Sequence, residues 1–336
     1  MPSTKDPITE MARRLVRAHP DHACRGLARM LVAEANGALT LEQARKRIGH
    51  QLGVMGNKSR KEFKAAAPRS QRQAGVDYAG LPPSIARPWT PYTLNVVGKV
   101  GILSDLHIPY HCETAIKAAV DHLAEIGIDA LILNGDVCDF YSISRWTKDP
   151  TQRDFSGELE ACRDFIGWIR TVFPTIPLVY KAGNHEERWQ HYIWQHAPEL
   201  SREKRMSLQA WLDVDKHGIE MVEEQRPILC GKLPILHGHE LPKGVAAPVN
   251  PARGAFMRTL STVLVGHSHR TSAHSESDMW HKEIFCWSTG CLADLTPEYA
   301  RINRYNHGFA LVTVHDAGQF DVENYRITAD GKVRTS

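Results

Sequence analysis

Residues 101–136 constrain the fold more than any other stretch, because they contain two short apolar runs that each end in acidic or imidazole side chains. The first run ends at Asp105 and His107, and the second, residues 130–133, leads to Asp136. Short apolar runs bounded by Gly, Asn or Asp are typical of strands buried on both faces. Residues 113–126 between them have helical spacing, so the stretch predicts a β-α-β unit with its chemistry at the carboxyl ends of the strands.

Three later segments repeat this arrangement of an apolar run followed by polar side chains. Residues 177–181 lead into Gly183-Asn184-His185-Glu186, residues 233–236 into His237-Gly238-His239, and residues 262–265 into Gly266-His267-Ser268-His269. Five strand-like runs are therefore predicted to place Asp, Asn and His side chains on one rim.

The side chains on this rim suit two divalent metal ions. Two metal ions about 3.5–4 Å apart can acidify a water molecule that lies between them and can hold an anionic substrate. Asp136 is the natural carboxylate to bridge them. The other candidate ligands combine imidazole, carboxylate and amide groups, which favour Mn²⁺, with Fe or Zn²⁺ as alternatives; they are Asp105, His107, Asn184, His237, His267 and His269. In extended backbone, residues two apart point to one face, but spacing alone does not assign the histidines to ions.

The order Asp-x-His, Gly-Asp-x-x-Asp, Gly-Asn-His-Glu, His-Gly and Gly-His-x-His resembles the calcineurin-like metallophosphoesterases over residues 98–270. The resemblance implies an α/β fold, a two-sheet sandwich flanked by helices, and a phosphoester substrate. The whole chain also resembles phage- and prophage-encoded phosphoesterases with a small helical head. That likeness implies action in the cytoplasm of a bacterial host.

The resemblance also assigns roles to residues. It implies that one ion is held by Asp105, His107, Asp136 and His269, and the other by Asp136, Asn184, His237 and His267. His185 matches the histidine that contacts the phosphate and protonates the leaving group. For the remaining candidates the resemblance gives no assignment: Asp139 is either catalytic or a supporting group, and His239 and Arg270 either touch substrate or are structural. Asn184 is also expected to touch substrate.

The N-terminal residues 1–62 predict a small all-α, helix-turn-helix-like head. Helices are expected over 8–18, from an N-cap at Asp21 to Ala35, and after Thr40, where Gln43 completes a capping-box pattern. Residues 1–72 contain 15 Lys and Arg against 6 Asp and Glu, a net charge of +9, whereas the remainder has a net charge of −6. This asymmetry favours a polyanion partner; the alternative is a basic, solvated surface.

Residues 63–95 are rich in proline and predict an extended linker, with Trp89 and Tyr92 fixing its end to a catalytic domain over 96–336. In that domain, residues 155–173 predict a second crossover helix, and residues 198–221 are expected to form a cap over the site. From Lys282 onward the pattern predicts an antiparallel second sheet. No apolar run approaches the roughly 18 residues that a membrane helix needs. Seven cysteines without a Cys-x-x-Cys favour reduced thiols.

Three hypotheses follow from these patterns. The first is a nuclease or other phosphodiesterase that the basic head brings to nucleic acid. The second is a phosphomonoesterase acting on a nucleotide, a nucleic-acid end or a phosphoprotein. The third is a catalytically silent DNA-binding adaptor that keeps a metal site, and the complete set of ligand residues argues against it. No heptads or repeats predict an oligomeric state.

Overall fold

The computed structural model describes residues 6–52, 80–147, 149–242 and 249–336. The chain divides into two compact units, with the boundary between Ala86 and Arg87. Most of the predicted linker, residues 63–79, lies outside the described residues. Within the described ranges, no helix is both long enough and apolar enough to cross a membrane.

The described part of the first unit contains three helices, α1 (Pro7–Ala18), α2 (Cys24–Glu34) and α3 (Leu41–Gln51). Their apolar faces form a small core in which Leu27, Leu31 and Ile48 are fully buried. The basic side chains of these helices lie mostly on the outside.

The helix starts in this unit show one confirmed and one wrong prediction. The capping box of α3 is confirmed, because the Gln43 backbone N–H donates to Thr40 and the Thr40 N–H donates to the Gln43 side chain. The N-cap at Asp21 is wrong. The His22 N–H and the His19 carbonyl close a turn there (3.2 Å), so that α2 begins only after Ala23, without a side-chain cap.

The second unit contains two mixed sheets. The first has the strand order β13-β12-β11-β2-β3-β4-β5, in which β2 to β5 run parallel to one another, and β11 pairs antiparallel with both β2 and β12, as does β12 with β13. Its strands are β2 (Gly98–Leu103), β3 (Ala130–Asn134), β4 (Leu178–Lys181), β5 (Ile219–Val222), β11 (His307–Val314), β12 (Phe320–Ile327) and β13 (Val333–Thr335).

The second sheet has the order β1-β6-β7-β8-β10-β9. Its strands are β1 (Tyr92–Leu94), β6 (Ile228–Cys230), β7 (Leu233–Leu236), β8 (Val263–Val265), β9 (Ser272–Ser277) and β10 (Glu283–Ser288). Trp89 donates to the Glu224 carbonyl (3.0 Å) and Tyr92 pairs with Ile228, so the prediction that these aromatic residues fix the linker's end is confirmed.

The predicted C-terminal antiparallel second sheet is wrong in its pairing. Strand β11 joins β2 in the first sheet, and β10 pairs parallel with β8 in the second. The reason is burial on both faces of β11: Ala310 and Val312 pack between the sheets, while Phe309 and Leu311 pack against the helices. A strand that is apolar on both faces must lie inside a sheet that is covered on both sides.

The two cores fix the positions of the strand ends. Ile102, Ile132 and Val179 of the first sheet pack against Ile235 and Leu264 of the second. Helices cover the outer face of the first sheet, and residues 113–126 and 155–172 form helices there as predicted. The α-helices in the described part of this unit are α4 (Glu113–Ile126), α5 (Phe155–Val172), α6 (Glu187–His196), α7 (Leu208–Trp211) and α8 (Pro251–Thr259).

Candidate metal centre and catalytic cavity

The seven predicted metal ligands follow strands of both sheets and converge on one site. Strands β2, β3 and β4 precede Asp105, Asp136 and Asn184, while β7 and β8 of the second sheet precede the last three histidines. Five of the seven residues have left-handed backbone, with φ between 51° and 64°; they are Asp105, His107, Asp136, His267 and His269. Non-glycine residues in this region are strained and concentrate at functional sites. The extended geometry assumed for the two ligand pairs is therefore wrong, because left-handed turns orient them.

The Asp136 carboxylate lies at the centre of the cluster. Its Oδ2 atom is 3.2 Å from His237 Nε2 and 3.9 Å from both His107 Nε2 and His185 Nε2. Its Oδ1 atom accepts the backbone N–H of His185 at 2.9 Å. One oxygen thus holds the loop after β4, and the other faces the imidazoles.

Asp105 divides its two oxygens in the same way. Oδ2 accepts hydrogen bonds from the Ser104 hydroxyl (2.6 Å) and the His267 backbone N–H (2.9 Å). Oδ1 lies 3.2 Å from His269 Nε2 and 3.9 Å from His237 Nε2. The oxygen that the backbone does not use therefore faces the same imidazole cluster.

Buried donor atoms without hydrogen-bond partners show that divalent cations fit here. Among the described residues, Asp105 Oδ1, Asn184 Oδ1 and His237 Nε2 are buried and make no hydrogen bond. Such atoms are costly unless a ligand satisfies them. The ligand atoms of Asp105, His107 and His269 lie within 4.8 Å of one another, and so do those of Asp136, His237 and His267. Two such groups of hard and borderline donors, one of which contains Asp136, suit two divalent ions.

Neighbouring groups fix which imidazole nitrogen faces the cluster. His237 Nδ1 donates to the Asn134 carbonyl at 2.8 Å, which leaves the Nε2 lone pair inward. His107 Nδ1 is 2.8 Å from Asp139 Oδ2, so its Nε2 is inward as well. A partner on the second nitrogen is the usual way in which a protein orients a metal-binding histidine.

The electrostatics of the cluster favour cations. Burial opposes the charging of His237, but the Asp136 and Asp105 carboxylates outweigh it and raise its pKa to about 10. Burial acts against ionisation of Asp136 too, yet His185 and His237 hold its pKa well below the usual range. Burial and the charge of His237 lower the pKa of His267 to about 4, so this imidazole is a neutral donor. The carboxylates thus create a potential that divalent ions can occupy in place of protons.

His185 and Arg188 line a cavity of about 550 Å³ beside the cluster. His185 Nδ1 donates to the Asp139 carbonyl (2.9 Å), and Arg188 donates to His185 Nε2 (2.8 Å) and to the Asp139 carbonyl (2.8 Å). Burial lowers the pKa of His185, but the charge of Asp136 and the hydrogen bond of Asp139 raise it overall. Sequence analysis missed Arg188. Its position three residues after His185, at the start of a helix, was the available signal, because that spacing places both on one face.

Asp139 lines the cavity next to His107 and His185. Its carboxylate accepts from His107 Nδ1 and approaches His185 Nδ1 at 3.4 Å. Of the two roles considered for Asp139, this geometry favours support: it orients both imidazoles.

Glu186 is a second residue whose role sequence analysis missed. Its Oε1 accepts from the Val137 and Cys138 backbone N–H groups and the Tyr180 hydroxyl, and its Oε2 accepts from the Asp136 and Gly183 N–H groups, all at 2.8–3.0 Å. One buried carboxylate thereby joins the loops after β3 and β4. A charged residue directly after His185 was the available signal, because a buried carboxylate must be satisfied by donors.

His239 and Arg270, predicted to touch substrate or to be structural, do not line this cavity. His239 Nε2 lies 3.1 Å from Glu187 Oε1, and the Arg270 guanidinium donates to the Val249 carbonyl at 2.8 Å. Both side chains have structural contacts, and their contact with substrate stays a prediction. Asn184 does line the cavity.

The predicted cap over residues 198–221 is wrong. None of these residues lines the cavity, whose outer walls come from residues 141–147 and 298–305. The reason is Trp189, which donates to the Met206 carbonyl (2.7 Å) and packs on Trp211 with ring centroids 4.3 Å apart. These contacts hold the segment against α6.

The chain is similar to known proteins in sequence and in chain path. The sequence profile described as calcineurin-like phosphoesterase matches residues 98–283. The Gene 54 protein of Mycobacterium phage L5 is 28% identical over 229 residues, which cover 64% of this chain and 89% of that protein. The Gene 54 protein of Mycobacterium phage D29 is 27% identical with the same coverage.

Solved structures with a similar chain path include Vps29 from Cryptosporidium parvum, with a TM-score of 0.41, 14% identity, and coverage of 72% of this chain and 97% of that one. A dimetal phosphatase from Danio rerio has a TM-score of 0.35 and 11% identity, and covers 71% of this chain and 98% of its own.

Proposed function

The chain belongs to the calcineurin-like phosphoesterase family, and from this premise we propose that it is a dinuclear phosphodiesterase that acts on nucleic acid. The observation that supports this best is the cluster of unsatisfied donor atoms around Asp136 Oδ2, next to the cavity that His185 and Arg188 line. The chain is a phosphoester hydrolase, and the proposal concerns its substrate, a phosphodiester of nucleic acid.

The ligand sets follow the family pattern. Asp105, His107, Asp136 and His269 would hold one ion, and Asp136, Asn184, His237 and His267 the other. Bound divalent ions acidify a water molecule and neutralise the phosphoryl oxygens. We favour Mn²⁺ over Fe and Zn²⁺, because the donors are imidazole, carboxylate and amide groups without a thiolate.

His185 and Arg188 would handle the phosphate and the leaving group. In the structure Arg188 donates to His185 Nε2, so this nitrogen cannot hold a proton at the same time. If a bound substrate drew the Arg188 guanidinium onto its phosphoryl oxygens, His185 Nε2 would lose this hydrogen bond and could take up a proton. Once protonated, His185 can give its proton to the leaving oxygen, as a general acid with a pKa near the working pH does. Its Nδ1 bond to the Asp139 carbonyl keeps the ring in place.

The surface charge of the head supports nucleic acid as the substrate. Four arginines of residues 6–52 are paired with acids: Arg13, Arg14, Arg45 and Arg47. In the same range, four exposed basic side chains have no ion-pair partner: Arg17, Arg25, Arg29 and Lys46. Unpaired cations on a small helical unit suit phosphate contacts. All seven cysteines are free, which supports action in the reducing cytoplasm of a host cell.

Hydrolysis assays with defined metal content test the proposal. Chelated protein, reloaded with Mn²⁺, is assayed on aryl phosphate mono- and diesters and on single- and double-stranded DNA. We expect hydrolysis of the diester and of DNA. Hydrolysis of monoesters alone would favour the phosphomonoesterase hypothesis, and absence of any turnover in protein that binds two ions would favour the adaptor.

A further inference from the structure

The catalytic cavity is larger than a phosphoryl group requires. At about 550 Å³ it lies within the range of sites that bury an organic ligand, roughly 300–1,000 Å³. The metal ligands, His185 and Arg188 form its inner end. The outer end, from residues 141–147 and 298–305, therefore has room for a group attached to the phosphate.

Aromatic side chains line that outer end on both sides. Tyr141 and Trp146 belong to one wall, and Tyr299 and Tyr305 to the other. Trp146 and Tyr299 are 66% and 64% exposed. Tyr305 lies against the metal-ligand candidate His269, with ring centroids 4.6 Å apart. Exposed aromatic faces beside a polar site mark a binding surface for a flat, partly apolar group.

A second cavity of about 160 Å³ adjoins the first and shares Tyr141, Glu298 and Tyr299 with it. Glu298 Oε2 accepts the Tyr141 hydroxyl at 3.1 Å, which connects the two walls. The Asn303 side-chain amide donates to the Leu295 and Ala300 carbonyls at 2.6 Å and holds the loop that contains Tyr299. The walls are thus ordered by their own hydrogen bonds.

We propose that these walls form a nucleobase subsite, in which the base next to the scissile phosphate stacks on Tyr299 and Trp146. The inference rests on the proposed function, since it names the group attached to the phosphate. Every base has a π-face, so aromatic walls accept bases of any sequence. The Glu298 carboxylate, an acceptor only, suits the exocyclic amino group of adenine, cytosine or guanine.

The subsite selects an unpaired nucleotide. A base within a duplex is stacked between its neighbours and cannot reach Tyr299 without being extruded. Three acids, Asp139, Asp294 and Glu298, line the smaller cavity against one arginine, Arg301, and the excess of negative charge disfavours a second phosphate there. The substrate class is therefore single-stranded nucleic acid or its ends.

Binding of two phosphonates tests the subsite without turnover. One probe is a deoxyadenosine phosphonate in which a methylene group replaces the 5′ ester oxygen, and the other is the same sugar phosphonate without the base. Both are titrated calorimetrically into the full-length, Mn²⁺-loaded protein. We expect the base to strengthen binding by about 10-fold or more. Tyr299→Leu should reduce this advantage several-fold, whereas Tyr299→Phe should preserve it.

Ile302 provides a matched control on the same loop. It is fully exposed and lies outside both cavities, so Ile302→Ala should keep the advantage of the base. Equal affinity for the two phosphonates, or an advantage that persists in the Tyr299→Leu/Trp146→Leu double variant, would overturn the subsite alone. Failure of both phosphonates to bind would overturn the proposed function as well.

Discussion

The catalytic site and the helical head differ in the burial and the pairing of their charged side chains. In the site, Asp105 and Asp136 are buried, and each is bound through one oxygen to backbone N–H groups and faces imidazoles with the other. In the head, the charges are exposed, and Arg25 and Arg29 have no ion-pair partner among the described residues. Buried, compensated charge suits chemistry at a fixed geometry, whereas exposed cations suit contacts to a phosphate backbone. Chemistry and recognition should therefore be separable by mutation.

Asp136→Asn is expected to separate chemistry from recognition most strongly. This change removes negative charge from the centre of both ligand groups, so we expect a loss of both ions and of activity on the order of 10³-fold or more. Binding of DNA by the head should persist. Metal content by mass spectrometry and turnover of an aryl phosphodiester measure the effect, and Asp121→Asn, exposed on α4, is the control. Active wild-type protein with one ion or none would contradict the dinuclear site.

The second prediction separates metal binding from proton transfer within the site. His185→Ala should keep both ions but lose about 100-fold on alkyl or nucleotide esters, because the leaving oxygen receives no proton. The defect should shrink for nitrophenyl esters, whose leaving group needs none. Exposed His191, on α6, supplies His191→Ala as a control. Equal losses on both ester types would indicate that His185 is structural.

The third prediction concerns how the buried site is held together. Glu186→Gln keeps the shape of the side chain but replaces one carboxylate oxygen by an amide NH₂ group, which cannot accept a hydrogen bond. If the remaining oxygen takes the place of Oε1, the NH₂ group faces the Asp136 and Gly183 backbone N–H groups, and both of their hydrogen bonds are lost. We expect the free energy of unfolding to fall by about 3 kcal/mol and Mn²⁺ affinity to weaken. Urea unfolding and metal titration measure this.

The exposed Glu125→Gln, on α4, is the matched control for Glu186→Gln and should change neither quantity. Unfolding and metal affinity that remain at wild-type values in Glu186→Gln would show that the loops after β3 and β4 hold their positions without the carboxylate.

The same comparison explains what the sequence could predict. Strand ends at Asp105, Asp136 and His237 were predictable, because a buried apolar run that stops at a polar residue must leave the core there. The roles of Arg188 and Glu186 were not, since they depend on hydrogen bonds to loops distant in sequence. The pairing of β11 was not predictable, because a strand that is apolar on both faces does not indicate to which sheet it belongs. The aromatic walls of the cavity were not predictable either, because Trp146 and Tyr299 lie in loops, where the sequence has no periodic pattern.

The smallest and most discriminating effect concerns the head. Two of the basic side chains on α3 are paired with acids, Arg45 with Glu42 and Arg47 with Asp6. Unpaired Arg25 and Arg29 are one helical turn apart on α2 and present two cations on one face. If they contact phosphates, Arg25→Gln/Arg29→Gln should weaken DNA binding about 10-fold. The slope of log affinity against log salt concentration should also become shallower, by an amount that corresponds to about two phosphate contacts.

A matched pair of variants separates contact from net charge. Arg13→Gln/Arg45→Gln removes the same two charges from arginines that already have acidic partners, so its effect should be several-fold smaller. Fluorescence anisotropy with single- and double-stranded DNA, in the Asp136→Asn background to prevent cleavage, measures both at low and moderate salt. Equal effects would mean that only net charge matters. Absence of binding at low salt would remove nucleic-acid recognition from the head, and the phosphomonoesterase hypothesis would then account better for the catalytic unit.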